Sequence, residues 1–233
     1  MTGGAKTPVA DAHLVESKLH SERVFDGRLL HVRRDTVRLP SGRSATREYI
    51  VHPGAVLVAP RLPDGRWVVE RQFRYPVGRV FVEFPAGKRD PGESALETGR
   101  RELAEEAGYQ AATWTRLGSI HPCIGYSDEV IELWRADGLT HVGARLDEDE
   151  HLEVLSMSGA ELLAALDRGE ITDAKTVAAL FFLEADLPMR FNKSERDKII
   201  KPHLAPAQNN RCGGSICIAC EQARADQSAG KAA

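Results

Sequence analysis

The chain has 233 residues, of which 42% are hydrophobic and 28% are charged, and its formal net charge at pH 7 is -3. This composition is typical of a globular protein, and the length is sufficient for one domain with an additional module. The small negative charge provides no general attraction to nucleic acid or to an anionic membrane. Because the sequence contains neither a signal-peptide pattern nor an apolar run of transmembrane length, we expect a cytoplasmic protein without nucleic-acid or membrane partners.

The N-terminal part of the chain is predicted to be a polar leader followed by a β arm. Residues 1–17 are expected to be flexible, and residues 18–51 contain three short strands separated by turn residues. The middle strand carries Arg33-Arg34-Asp35, which favours either a β-bulge or an edge position. Three short strands bury little apolar surface alone, so we expect the arm to pack on the main domain or on a second copy of the chain.

Residues 52–188 are predicted to form the main domain, and residues 189–233 a disordered tail rich in Ala, Gly, Gln and Ser. Helices are predicted to begin after Ser94, after Ser158, and after Thr172 or Asp173. Mixed strands with one inserted helix and two final helices indicate α and β layers around one sheet. The predicted strands of this domain are residues 55–59, 67–73, 80–84, 113–120, 129–136 and 152–157.

The first of these helices carries an unusual acidic face. Its predicted start is a capping box formed by Ser94 and Glu97, and Gly108 is predicted as the C′ glycine. On a helical wheel, three glutamates share one narrow side. They are Glu102, Glu105 and Glu106.

Like charges one turn apart repel each other, so this arrangement needs a reason. Arg101 is expected to point to another side of the helix and to offset only part of the repulsion. A cluster of oxygen ligands suits a hard divalent cation, Mg²⁺ or Mn²⁺, that bridges to phosphate oxygens. The alternative is a solvated acidic surface without a ligand.

The spacing of residues from Gly87 onwards resembles the signature of the Nudix hydrolases. Gly87 is followed after five residues by Glu93, and after seven more by the run Arg-Glu-Leu-Ala-Glu-Glu-Ala-Gly-Tyr at 101–109. Tyr109 is aromatic where the signature favours an aliphatic residue. Four further segments are similar to the ADP-ribose pyrophosphatase branch of this family, namely residues 47–49, 70–76, 83–87 and 125–129.

The resemblance implies a Nudix-type α/β/α sandwich with a mixed sheet, preceded by the small antiparallel β arm. It also implies a homodimer in which the N-terminal strands pack across the partner. The implied activity is metal-dependent hydrolysis of the diphosphate bond of ADP-ribose, or of a related nucleoside diphosphate sugar, with Mg²⁺ or Mn²⁺ as cofactor. GDP-mannose or another nucleotide sugar is the alternative substrate, and a non-catalytic nucleotide-sugar sensor is the alternative function. Ile124 occupies a position where this branch usually has proline, which weakens the choice of ADP-ribose.

The same resemblance implies roles for individual residues. The implied metal ligands are the carbonyl of Ala86 together with Glu102, Glu105, Glu106 and Glu150. Catalysis is assigned to Glu106 and to Glu148, the latter as general base. Substrate contacts are assigned to Arg74 and Glu129 and, from the neighbouring subunit, to Arg47 and Glu48. Gly87, Glu93 and Arg101 are expected to shape the loop before the helix.

Three of the four cysteines lie in the tail, at Cys212, Cys217 and Cys220. Their spacing is similar to part of a metal-ligand run, and His203 is a conceivable fourth ligand of zinc. A reduced, flexible tail without a metal is the favoured interpretation. Cys123 stands alone in a loop with no evident base, and we expect it to be unreactive.

Overall fold

A computed structural model describes residues 11–146, 151–183 and 187 of the chain. Seven strands precede the first helix, three strands follow it, and two helices come last. In chain order the elements are β1 (Ser17–Asp26), β2 (His31–Arg38), β3 (Ser44–Val51), β4 (Ala55–Pro60), β5 (Trp67–Arg74), β6 (Arg79–Glu83), β7 (Ala86–Lys88), α1 (Ala95–Glu105), β8 (Tyr109–Ile120), β9 (Ile131–His141), β10 (Leu152–Met157), α2 (Gly159–Asp167) and α3 (Ala174–Phe182).

The N-terminal arm is an antiparallel sheet in the order β1-β2-β3, which confirms the predicted β arm. Strand β2 lies in the middle and its register with β3 is uninterrupted. The register shifts fall in β1 instead. The prediction of a bulge or an edge at residues 33–35 is therefore wrong. Arg34 lies between Glu22 and Glu48 of the flanking strands, at 3.2 and 2.8 Å, so charge pairing across the sheet accommodates it.

The main domain is layered around strand β4, whose six residues are all buried. Alternate side chains of a strand point to opposite faces. Leu57 and Ala59 pack with residues of α2 and α3. Val56 and Val58 pack with Leu103 of α1. This is an α/β/α sandwich, as predicted.

Two sheets contribute to the β layer of this sandwich. One has the order β7-β4-β9-β8 and the other β10-β5-β6. Strands β4 and β9 are parallel, whereas the other pairs in both sheets are antiparallel. The sheet containing β4 is therefore mixed. Strand β7 has only three residues and was not predicted, because so short a run carries no hydrophobic periodicity.

The predicted helix starts are confirmed by their caps. Ser94 and Ser158 each form a complete capping box. Asp173, rather than Thr172, caps α3 by accepting from the backbone N–H of Thr176 at 3.0 Å. Helix α1 ends at Glu105 with Glu106 as its C-cap, so Gly108, at φ 74°, lies one position beyond C′.

The arm and the main domain meet at the end of β3. Ile50 donates its N–H to the carbonyl of Tyr126 at 2.8 Å and accepts from the N–H of Asp128 at 3.3 Å. The Asp128 carboxylate in turn accepts from the N–H of His52 at 2.7 Å. These bonds hold the loop after β8 beside the start of β4. Among the described residues, no helix combines the length and the apolar character needed to cross a membrane.

Candidate active site

Two glutamates at the C-terminal end of α1 lie against the backbone of β7. Strand β7 pairs with β4, which brings its backbone alongside α1. The N–H of Ala86 donates to Glu106 Oε2 at 3.0 Å, and Glu106 is only 5% exposed. A Cβ on Gly87 would lie 1.7 Å from Glu102 Oε1, so only glycine leaves room for that carboxylate. Two carboxylates therefore converge on the same two backbone residues.

This arrangement supplies the ligand chemistry that a hard divalent cation requires. Carboxylate and backbone oxygens suit Mg²⁺, which also retains several waters and so needs few protein ligands. Among the residues that the structure describes, no group of three or more His, Cys, Asp or Glu side chains is placed to hold a metal. The two carboxylates Glu102 and Glu106 and the adjoining backbone are the groups of this kind that the structure brings together here.

Arg101 braces the loop that precedes α1. Its guanidinium donates to both carboxylate oxygens of Glu93, each at 3.0 Å, and to the carbonyl of Lys88 at 3.1 Å. The same group also reaches Glu102 at 2.9 Å and Glu105 at 3.2 Å. The expectation that Arg101 points away from the acidic face is wrong, since its long side chain folds back over it. Glu105 is 45% exposed, so Arg101 and solvent offset its charge.

The charge of Glu93 is strongly stabilised by these contacts. Its hydrogen bonds from Arg101, followed by one from the Thr98 hydroxyl at 2.9 Å, lower its pKa from 4.5 to about 2. The hydrogen bonds to Glu93 in turn raise the pKa of Arg101. The predicted structural role of this pair in shaping the loop is consistent with the contacts.

A second charged cluster lies at the end of β6. Glu83 is 3% exposed and accepts two hydrogen bonds from Arg74, at 2.8 and 2.9 Å. Lys175 also contacts Glu83, and it reaches Asp173 at 3.0 Å. Burial raises the pKa of Glu83, but its hydrogen bond from Arg74 and the Lys175 charge outweigh burial, so the net shift is downward. The hydrogen bond to Glu83 raises the pKa of Arg74, and the charge of Glu106 contributes to that shift.

Sequence reasoning missed Lys175 because it belongs to no motif and lies 92 residues from Glu83. The available signal was local. Asp173 caps α3, so a side chain two residues later lies in the first turn, beside the helix start. The hydroxyl of Thr176 accepts from the N–H of Phe84 at 3.1 Å, which docks this turn beside the strand that carries Glu83.

A cavity of about 300 Å³ lies between β7 and the start of α3. Ala86 and Gly87 line one part, and Glu129 and Lys175 line others. Glu129 Oε1 lies 3.8 Å from His52 Nε2. The Nδ1 atom of His52 accepts from the N–H of Gly54 at 3.1 Å, so the neutral ring carries its proton on Nε2, towards Glu129. The cavity wall thus carries both a cation and a carboxylate, together with the backbone of Ala86 and Gly87 that Glu106 and Glu102 contact.

Two predicted substrate residues lie in the arm. Arg47 forms a two-point ion pair with Glu16, and Glu48 pairs with Arg34. Both therefore make their contacts within the arm. Ile124 is 83% exposed in the loop after β8.

Several predicted residues fall outside the part of the chain that the structure describes. They are Glu148, Glu150, His203, Cys212, Cys217 and Cys220.

Two family models match the chain in adjoining segments. The NUDIX domain matches residues 51–180, and the nucleoside diphosphate sugar hydrolase N-terminal domain matches residues 16–50. Their junction coincides with the end of β3.

Comparisons with individual proteins cover nearly three quarters of the chain. The chain is 35% identical to the ADP-ribose pyrophosphatase of Bacillus subtilis (strain 168), over 73% of this chain and 94% of that protein. It is 37% identical to the methanol dehydrogenase activator of Bacillus methanolicus, over 72% of this chain and 92% of that protein. A crystal structure of an ADP compounds hydrolase superposes with a TM-score of 0.66 at 26% identity, covering 73% of this chain and 92% of that one.

Proposed function

The chain belongs to the Nudix hydrolase family, and we propose that it hydrolyses the diphosphate bond of ADP-ribose to give AMP and ribose 5-phosphate. The observation that carries this proposal is the convergence of Glu102 and Glu106 on the backbone of Ala86 and Gly87. The ADP-ribose pyrophosphatase relative supports the choice of substrate.

The cofactor in this proposal is Mg²⁺ or Mn²⁺. A bound divalent cation would neutralise diphosphate oxygens and lower the pKa of a bound water. Glu102 and Glu106 would hold it, with the backbone at Ala86 close enough to contribute because Gly87 has no side chain. Glu105 and Glu150 remain predicted additional ligands.

The other side chains bind and orient the substrate in this proposal. Arg74 has a planar guanidinium suited to phosphate, and Glu83 holds it in one orientation, so little freedom is lost on binding. Glu129 accepts from a ribose hydroxyl or from a water. Glu148 would take a proton from the attacking water, whose oxygen bonds to one of the two phosphorus atoms. The bond from that phosphorus to the bridging oxygen breaks, and the bridging oxygen stays on the other phosphate, so that the products are AMP and ribose 5-phosphate.

We extend the proposal to a homodimer. Large apolar side chains are exposed on β1 and in the turn after it, at Leu19, Phe25 and Leu29. Their exposure favours burial against another surface. In a dimer formed through the arms, Arg47 and Glu48 would act on the substrate of the neighbouring subunit. Cytoplasmic location also stays a prediction.

Two alternatives remain testable. Ile124 motivates the first, another nucleotide sugar such as GDP-mannose, because isoleucine leaves the loop backbone freer than proline would. The second is a nucleotide-sugar sensor, and one relative is named as an activator of methanol dehydrogenase rather than as a hydrolase. A pure sensor has no need for the pair Glu102 and Glu106, so catalysis is favoured.

The deciding experiment measures hydrolysis of ADP-ribose, ADP-glucose and GDP-mannose with Mg²⁺ or Mn²⁺ and identifies the products. We expect kcat/KM for ADP-ribose to exceed the others about tenfold, or about 1.4 kcal/mol of discrimination. The matched variant Ile124→Pro should sharpen that preference if the loop controls it. A best reaction with a guanine nucleotide sugar, or binding without turnover, would contradict the proposal.

A further inference from the structure

Lys175 has no assigned role in the chemistry above, although it lines the same cavity as Gly87 and Glu129. Its ammonium group contacts Glu83 and lies 3.0 Å from Asp173 Oδ2. Most of the Lys175 side chain is buried, so the charge is held at one place on the cavity wall. A long lysine side chain on a solvated surface would not be fixed in this way.

Hydrogen-bond donors remain available in this cluster. A lysine ammonium has three N–H donors, of which one bonds Glu83, while the Asp173 carboxylate lies 3.0 Å away as an ion pair. Arg74 has five donors, of which Nε and Nη2 each give one to Glu83. Within the described residues, Nη1 of Arg74 makes no hydrogen bond. Each cation is therefore anchored on the same buried carboxylate while keeping donors for another acceptor.

We propose that Lys175 is a phosphate-binding residue of this site, and that Glu83 is the positioning residue that holds Lys175 and Arg74 as a pair. This inference rests on the proposed function, because a diphosphate is the acceptor that the two cations fit. Glu129 lines the cavity, and Glu102 and Glu106 lie against Gly87 and Ala86 of its wall, so an anionic substrate needs fixed cations beside these carboxylates.

The competing explanation is that Lys175 only stabilises the start of α3. A lysine in the first helical turn opposes the helix dipole, so its position there is not explained by local helix stability. Its contact with Glu83, on a strand remote in sequence, links the helix to the residue that orients Arg74. A structural role and a binding role predict different measurements.

The test compares wild type with Lys175→Met in the full chain. We would measure kcat and KM for ADP-ribose with Mg²⁺, and the inhibition constant of an ADP-ribose analogue whose bridging oxygen is replaced by a methylene group. Loss of one hydrogen bond to a charged phosphate should lower kcat/KM about ten- to hundredfold and weaken the analogue by a similar factor. Lys175→Arg, which keeps the charge, should lose less than Lys175→Met.

The matched control is Arg71→Gln, which removes an exposed ion pair with Glu153 from the same strand as Arg74. We expect it to leave kcat/KM within about twofold, as exposed pairs contribute little. A Lys175→Met protein with altered melting temperature but unchanged kcat/KM and inhibition constant would show a purely structural role and overturn the inference. Glu83→Gln should lower kcat/KM by a smaller factor in the Lys175→Met background than in wild type, because the contribution of Glu83 through Lys175 is then already absent.

Failure of the inference is distinguishable from failure of the proposed function. A wild-type protein that hydrolyses no nucleoside diphosphate sugar refutes the function, whereas active wild type with equally active Lys175→Met refutes the inference alone. If Lys175→Met does not fold, acylation of the wild-type lysines decides the question. Saturating analogue should slow acylation of Lys175 and leave exposed Lys18 unaffected, and an unchanged rate at Lys175 would overturn the assignment.

Discussion

Gly87→Ala is the substitution that tests the candidate site most directly. The added methyl group would lie 1.7 Å from Oε1 and 2.0 Å from Cδ of Glu102. Real Cβ atoms make ordinary contacts from 3.4 Å, so the carboxylate must retreat by about 1.7 Å. The carboxylate of Glu102 is the end of a flexible side chain, so it can move without unfolding the domain. The substitution should therefore displace a metal-binding group while the fold persists.

The size of the expected effect follows from this displacement. Misplacing a catalytic group by about 1 Å is sufficient to cost about 10²-fold in rate. We expect Gly87→Ala to lower kcat/KM at least that much. The unfolding free energy should change by no more than about 1 kcal/mol, because the clash is relieved by rotating one side chain.

The assay combines ADP-ribose hydrolysis with urea unfolding. Gly99→Ala is the matched control, since its methyl group meets Trp114, Val56 and Val58 at 3.3 Å in the core behind the same helix. It should alter the unfolding free energy and leave kcat/KM within about twofold. Gly87→Ala should lower kcat/KM and leave the unfolding free energy nearly unchanged.

A cycle with Glu102→Ala isolates the cause. Once the carboxylate is absent, adding a methyl group at Gly87 should cost little further activity. Wild-type turnover in Gly87→Ala would refute the placement of Glu102. A full additional loss in the Glu102→Ala background would show that the methyl group acts through another contact.

Three further outcomes are expected. Glu106→Gln should lower kcat by about 10²- to 10⁴-fold because the negative charge is lost, while the protein stays folded because the amide oxygen can still accept from the N–H of Ala86. Near-wild-type turnover of this variant, or activity in excess chelator, would contradict the prediction. The stability that ionised Glu93 provides is complete above its ordinary pKa of 4.5 and is lost as the pH falls towards its folded pKa of about 2. The difference in unfolding free energy between wild type and Glu93→Gln, measured in urea, should therefore narrow over that pH range. Phe25→Asp should weaken a dimer by placing a charge where an apolar side chain is exposed, and light scattering that finds wild type monomeric at micromolar concentration would end the dimer proposal.

Local patterns were sufficient to predict most elements of this fold. The capping boxes at Ser94 and Ser158 were identified correctly because they involve residues only three positions apart. The buried strand β4 was recognisable as a short apolar run, as expected for a strand covered on both faces. The arm was predicted as strands, but the middle position of β2 depends on partners 12 and 14 residues away from Arg34. Charge pairs across a sheet leave no periodic signal in one strand.

The sequence alone determined that Glu102 and Glu106 share one face, because a helix places residues four positions apart on the same side through its own periodicity. The tertiary structure decided which groups meet that face. Pairing of β7 with β4 brought Gly87 under Glu102, and the docking of α3 brought Lys175 to Glu83. The folding back of Arg101 over Glu102 and Glu105 was likewise decided by three-dimensional contacts. Such encounters depend on packing between segments distant in sequence, whereas helix periodicity depends only on neighbours along the chain.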